Sequence, residues 1–321
     1  RGLGDVYKRQ VVCCLPIALI SVIMTFANMI DMLTVNPCIK IAMKASPHTF
    51  DSLLSDKLTT DMLPNFIYGS YIGLAVTVFG LVPTITAMFG KSILPSLAES
   101  CAKNDKKAIQ SGLTKMLIVT SIIAIPAGMG IAVLSEPILH FLFGGRETEI
   151  QVCIMPMSIL GIAVIFLAIA TPCFAILQTL GKPHKAIIIM LTGGIIKLFL
   201  NIILIRQPII NISGAAISTL VSEVFICALS VRSVCKMTDL KPKVSEIFVK
   251  PTYAAIMCSV TAVLSHETLT KIANLQINHR FVTLFSIGIG STMYFFCLYL
   301  LCETPKNIVN YIFSKKNPQN P

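Results

Sequence analysis

Tryptophan is absent and charge is scarce: Asp, Glu, Lys and Arg make up 13% of the 321 residues, against about 25% in a typical soluble domain. With 55% hydrophobic residues and a mean hydropathy of +0.79, the composition excludes an ordinary water-soluble globule and implies an integral membrane protein. Without Trp, the aromatic contacts at the lipid–water interface fall to Tyr and Phe. Metal-binding spacing is also missing. The eleven cysteines form no CxxC or Cys/His pattern, and the five histidines are scattered. Cys13, Cys14, Cys173, Cys227 and Cys258 lie inside apolar runs and read as small buried hydrophobes. There is no GxxxxGK[ST], GxSxG or HExxH, and no carboxylate pair on one face. That leaves no ATP-hydrolysing engine and no hydrolytic enzyme to build, so the chain reads as a non-enzyme. The net charge of +11 does not point to nucleic acid, because its cations are spread over the loops between apolar runs.

Those runs are the dominant feature. Eight segments, near 11–35, 66–90, 114–135, 153–178, 186–206, 212–233, 251–270 and 281–302, reach the length of about 20 residues that crosses a bilayer. The spacing predicts an all-α polytopic helix bundle. Asn36 to Asn65 reads as a polar loop, and Lys91 to Gly112 as a basic membrane-surface helix or an extension of the second span. A short run, Glu136 to Phe143, is expected at an interface. The first ten residues, RGLGDVYKRQ, are polar and resemble adapter-derived sequence, so native sequence is expected to begin near Val11. Basic residues favour one set of loops by about two to one, which by the positive-inside rule makes both termini cytoplasmic.

Two runs stand out because each carries one ion near its middle, Lys197 in the fifth and Glu223 in the sixth. An antiparallel hairpin would place both near the bilayer midplane, where an unpaired charge costs at least about 2.5–3.5 kcal/mol. Gly193, Lys197 and Asn201 recur on one face. Ala215, Thr219 and Glu223 do so on the other helix, with Ser218 and Ser222 alongside. Small and polar stripes of this kind belong against other helices rather than lipid. Lys197 reads either as a cavity cation for an anionic head group or ion coupling, or as a structural partner of Glu223. Asp31 is expected near the outer end of the first helix, as an interfacial carboxylate or a cation ligand. Prolines at 16, 83, 126, 156 and 172 fall inside spans, where each deletes a backbone hydrogen bond. Pro83, Pro126 and Pro172 are the candidate gating kinks of a bundle with moving parts. Gln178, Glu136 and Lys91, at helix ends or surfaces, read as gating or interface anchors.

An ordered set of segments adds a resemblance. Tyr68-Gly69-Ser70-Tyr71, Leu81-Val82-Pro83 and Ser92-Ile93-Leu94-Pro95-Ser96-Leu97-Ala98-Glu99 come first. Ile125-Pro126-Ala127-Gly128-Met129-Gly130, Leu134-Ser135-Glu136-Pro137-Ile138 and Leu142-Phe143-Gly144 follow. Leu177-Gln178-Thr179-Leu180-Gly181-Lys182, Lys197-Leu198-Phe199-Leu200-Asn201 and Gly214-Ala215-Ala216 complete the set. Over roughly residues 11–302 this order resembles the stage V sporulation protein B branch of the polysaccharide flippases. These belong to the MOP superfamily, with the MurJ-type lipid II flippases and MATE drug exporters.

The resemblance implies a MATE/MurJ-like two-lobe transporter. Residues 11–235 would be its second six-helix lobe, 236–302 its terminal transmembrane pair and 303–321 a cytoplasmic tail. It implies flipping of an undecaprenyl-linked oligosaccharide or peptidoglycan precursor across the bacterial cytoplasmic membrane by alternating access. Lys197, Glu223 and Asn201 would face the substrate cavity. No cofactor is implied beyond Na+ or H+ as coupling ion. Some lipid II flippases bind sodium among the helices corresponding to the first, fifth and sixth spans, and Asp31, Asn201 and Thr219 offer carboxylate, amide and hydroxyl oxygens for such a site. The rivals are a cation-coupled multidrug exporter and a non-transporting scaffold of envelope or spore-wall assembly.

Overall fold

A computed structural model describes residues 22, 29–46, 59–103, 105–239, 245–273 and 279–301; among them all regular structure is helical. Helix α1 covers 29–45. Helix α2 runs Leu63–Ala102 through a widened π turn at Tyr71–Val76. Then follow α3 (Lys106–Val133), the short α4 (Ser135–Phe143), α5 (Glu147–Thr179), α6 (Pro183–Leu204) and α7 (Ser213–Thr238). The last two described are α8 (Lys250–Ala273), entered through a π turn at Ser245–Val249, and α9 (His279–Leu301). Seven of the described segments are long and apolar enough to cross a membrane. The chain is a multi-pass, all-α membrane protein. Most of the expected first span, including Pro16, lies outside the described residues, as do residues 1–10 and 303–321.

Each helix shows why it forms where it does. Along α6, Ala186, Ile189, Met190, Gly193, Lys197 and Asn201 make a buried stripe, while Ile188, Leu191, Ile195, Phe199 and Ile203 are exposed on the opposite side. In water that second stripe would be a liability; in a bilayer it is the lipid face, and the small and polar stripe packs inward. Helix α5 is the axis of the bundle. Its residues Ile150, Cys153, Met157 and Leu160 join a core with α1, α2 and the start of α7. Ile169, Cys173, Ile176 and Leu177 join a second core with α3, α6 and the end of α7. Helices α3 and α5 approach closely at glycine: a Cβ on Gly161 would lie 2.5 Å from the Ala132 nitrogen. Helices α8 and α9 form their own hairpin and pack on α3 through Ile125, Ala254, Ala255 and Tyr294.

Two sequence expectations need correction. The polar loop from Asn36 to Asn65 is too long, since α1 continues to residue 45 and α2 begins at Leu63. Val35, Cys38, Ile39 and Ala42 fall on one face of α1 and are buried in the first core, so packing overrides the polar neighbours Lys40 and Lys44. Asp31 therefore lies 14 residues before the last residue of α1 rather than near that end. Of the two readings of Lys91 to Gly112, the surface helix is set aside and the extension of the second span holds as far as Ala102. Helix α2 extends to Ala102, the chain turns, and Asp105 caps α3 by accepting the Ala108 N–H at 3.1 Å. That bond satisfies one of the orphan donors at a helix start.

Candidate functional site

The α6–α7 hairpin turns tightly at Asn211, which takes φ +44°. A Cβ on Gly214 would come within 2.9 Å of Leu204 and the Ile205 nitrogen, and one on Gly193 within 2.3 Å of Ile226. These contacts fix an antiparallel register in which Asn201 meets Ser218 and Lys197 stands level with Ser222. Lys197 and Glu223 thus stand at nearly one level of the hairpin, yet the hydrogen-bonded partner of Lys197 is another carboxylate.

Lys197 reaches away from α7 and donates from Nζ to Asp31 Oδ2 on α1 at 2.7 Å, a length typical of a charge-assisted hydrogen bond. Asn201, one turn further along α6, donates from Nδ2 to Asp31 Oδ1 and to Thr34 Oγ1, both at 3.0 Å. Its own Oδ1 is met by the Ser218 hydroxyl of α7. Thr34 passes its proton to the Ile30 carbonyl at 2.6 Å. Asp31 and Lys197 are 5% and 9% exposed and Asn201 and Ser218 are fully buried, so this is an interior network. Each carboxylate oxygen has a donor, and both ends of the Asn201 amide are engaged, which sets its orientation. An unpaired buried ion costs several kcal/mol; here the two charges neutralise each other across helices far apart in sequence.

Glu223 is left out of that pair. It is half-buried on α7, and its Oε2 is hidden from solvent without a hydrogen-bond partner among the described residues. The expected Lys197–Glu223 bridge is thus replaced by Lys197–Asp31, because the polar stripe of α6 faces α1 as well as its hairpin neighbour. Thr219 is buried nearby and turns its hydroxyl onto the Ala215 carbonyl at 2.8 Å. Tyr71 of α2 is buried beside Thr219 and within electrostatic reach of Asp31.

The prolines have specific partners. Pro172 cannot donate to the carbonyl four residues back, that of Ala168, and the buried Thr86 hydroxyl approaches this oxygen at 3.3 Å. Pro126 frees the Ile122 carbonyl in the same way, and Tyr294 of α9 donates its hydroxyl to it at 2.8 Å. Pro172 also packs where a Cβ on Gly90 would sit, 2.9 Å away. Pro83 lies inside α2 one turn before Thr86, whose hydroxyl is 3.1 Å from the Pro83 carbonyl. Gln178 lies near the end of α5, Lys91 is exposed on α2, and Glu136 opens α4. Glu136 lines a cleft of about 630 Å3 with His140, His266 and Glu267; no member of the Asp31 network lines it.

The sequence profile described as "Lipid II flippase MurJ" matches residues 68–286. The chain belongs to this MurJ family. It is similar to the lipid II flippase MurJ of Bacillus subtilis (21% identity, 68% of this chain, 40% of the relative). It is also similar to stage V sporulation protein B of the same species (22% identity, 56% and 34%), in line with the ordered motifs. Its fold is that of a MOP superfamily transporter from Pyrococcus furiosus: TM-score 0.55, 15% identity, 89% of this chain and 63% of that one. The chain spans about 40% of the length of the curated MurJ relative.

Within this MurJ-family bundle, the oxygen set proposed for sodium does not fit a free cation. Asp31 and Asn201 do converge, but Lys197 Nζ and Asn201 Nδ2 already hold the two carboxylate oxygens, and Ser218 engages the amide oxygen. A second unit charge about 4 Å from the ammonium would meet repulsion of about 4 kcal/mol at an effective dielectric of 20. Sequence reasoning missed Thr34 as a member of the site. The available signal was its spacing, three residues after Asp31 and so on the same helical face.

Proposed function

We propose that the protein acts as a flippase, moving a polyprenyl-linked oligosaccharide or a lipid II-like peptidoglycan precursor across the cytoplasmic membrane by alternating access. The observation that carries this reading is the buried Asp31–Lys197–Asn201 network in a chain of the MurJ family. It ties α1 to the α6–α7 hairpin by a pair that can be broken as a unit, as alternating access requires. In this reading residues 11–235 form the second lobe, 236–302 the terminal pair, and both termini face the cytoplasm. Lys197, Asn201 and Glu223 line or border the route of the head group. The groove beside α8 and α9 takes the polyprenyl tail. Pro83, Pro126 and Pro172 are the flexing points, with Thr86 and Tyr294 as their hydrogen-bond partners.

The test uses the full-length protein and measures exposure of lipid-linked precursor at the outer leaflet. Lys197→Met should abolish exposure per molecule of membrane-inserted protein, with expression raised to match the wild-type amount, and the swap Asp31→Lys/Lys197→Asp should restore part of it. Unchanged exposure in Lys197→Met would remove the network from transport. Export of small cationic drugs without precursor exposure would instead favour a multidrug exporter, and loss of abundance alone a scaffold.

A further inference from the structure

The ion pair has a consequence beyond the choice of substrate. A carboxylate, an amide and two hydroxyls from α1, α6 and α7 meet at Asp31, Asn201, Thr34 and Ser218, residue types whose oxygens suit a hard cation. The positive charge there is nevertheless supplied by the chain itself, through Lys197 Nζ at 2.7 Å from Asp31 Oδ2. We propose that the Lys197 ammonium is a tethered cation that takes the place of a dissociable sodium ion, so that closure of α1 on the α6–α7 hairpin is independent of sodium.

The placement supports this assignment in three ways. The α6–α7 register is held by Gly193 against Ile226 and Gly214 against Leu204, and within it the Lys197 ammonium meets Asp31 of α1 at 2.7 Å. The Asn201 amide presents its NH2, not its oxygen, to Asp31; the orientation suits a carboxylate whose positive partner is already in place, whereas a free cation would call for the amide oxygen. Finally, the Lys197 side chain is buried together with the Asp31 carboxylate it meets, so a covalently held cation occupies a site closed off from bulk ions. A free ion can leave and report its own concentration. A tethered one reports only whether α1 and α6 are together.

The experiment is sodium binding by the full-length protein in nanodiscs, read with radioactive sodium and by melting in NaCl, KCl and choline chloride. The wild type should melt alike in the three salts and show no saturable sodium binding that depends on Asp31. Lys197→Ser, or Lys197→Asn where the smaller side chain packs poorly, should gain saturable sodium binding and a sodium-dependent rise in melting temperature. Asp31→Asn in the Lys197→Ser background should weaken that binding by at least about tenfold. Saturable binding by the wild type that Asp31→Asn removes would overturn the proposal. So would folded Lys197 variants indifferent to sodium, or Lys197 variants that stay unfolded even at molar NaCl, since the vacated site should refill. No transport substrate enters these measurements, so a failed flippase assay leaves the result standing, and a working flippase with a wild-type sodium site sinks only this proposal.

Discussion

The α1–α6–α7 region and the α8–α9 hairpin are held together by different physics. The first buries a carboxylate, an ammonium, an amide and several hydroxyls in one network. The second is joined by small residues: a Cβ on Gly290 would lie 2.9 Å from the Ala262 Cβ and 3.2 Å from the Cys258 carbonyl. Its outer side is greasy, with Phe281, Phe285, Phe295, Phe296 and Leu300 exposed. One polar tie to the bundle is the Tyr294 hydroxyl on the carbonyl freed by Pro126. Lipid is as apolar as these side chains, so close packing and a few hydrogen bonds supply the association. Charge makes the first region conditional: its parts are stable together and costly apart. Close packing of small residues makes the second region permanent by comparison.

That contrast can be broken most severely at the ion pair. Lys197→Met leaves Asp31 buried without its cation and should cost about 3–5 kcal/mol, read as equilibrium unfolding in bilayer discs. Asp31→Asn/Lys197→Met should recover most of this, and a double variant as damaged as the single one would show that packing, not charge, holds α1. Next in size, Gly290→Leu should wedge α8 from α9 and cost about 1–3 kcal/mol. Cross-linking between cysteines placed on the two helices should fall, while cross-links between α1 and α6 are unchanged.

A smaller effect is expected at Tyr294. Tyr294→Phe should cost about 0.6–1.7 kcal/mol, and little or nothing in a Pro126→Ala background, where the restored N–H satisfies the Ile122 carbonyl. Equal costs in both backgrounds would refute the link between this hydroxyl and the proline. The smallest effect belongs to Glu223. Glu223→Gln should change stability by at most about 1 kcal/mol, because no hydrogen-bonded ion pair is lost. A cost matching that of Lys197→Met would reinstate the Lys197–Glu223 bridge.

Much of the fold was legible from periodicity. The apolar runs are long, and the exposed and buried stripes of α6 repeat at helical spacing, so the helices from α2 onward follow from local pattern. Helix α1 was misjudged because Lys40 and Lys44 read as loop while Val35, Ile39 and Ala42, the residues that decide the matter, lie on the hidden face. The site was half legible. Lys197 and Asn201 stood out as polar residues in a lipid-soluble run, and Asp31, picked as a cation ligand, is the carboxylate that the Lys197 ammonium meets. Thr86 and Tyr294 carried no local signal, since nothing near either residue in sequence shows that it meets a carbonyl that a proline has freed.

Sequence by itself determined that the chain is a membrane-embedded helix bundle and that Lys197 and Glu223 lie near one level of a helical hairpin. Both follow from hydropathy and from the fixed rise per residue of a helix, which are local quantities. Only the tertiary structure decided which carboxylate Lys197 meets. The choice depends on the direction in which each stripe faces once α1 packs against the hairpin, and the separation of 166 positions between Asp31 and Lys197 places it beyond any local rule.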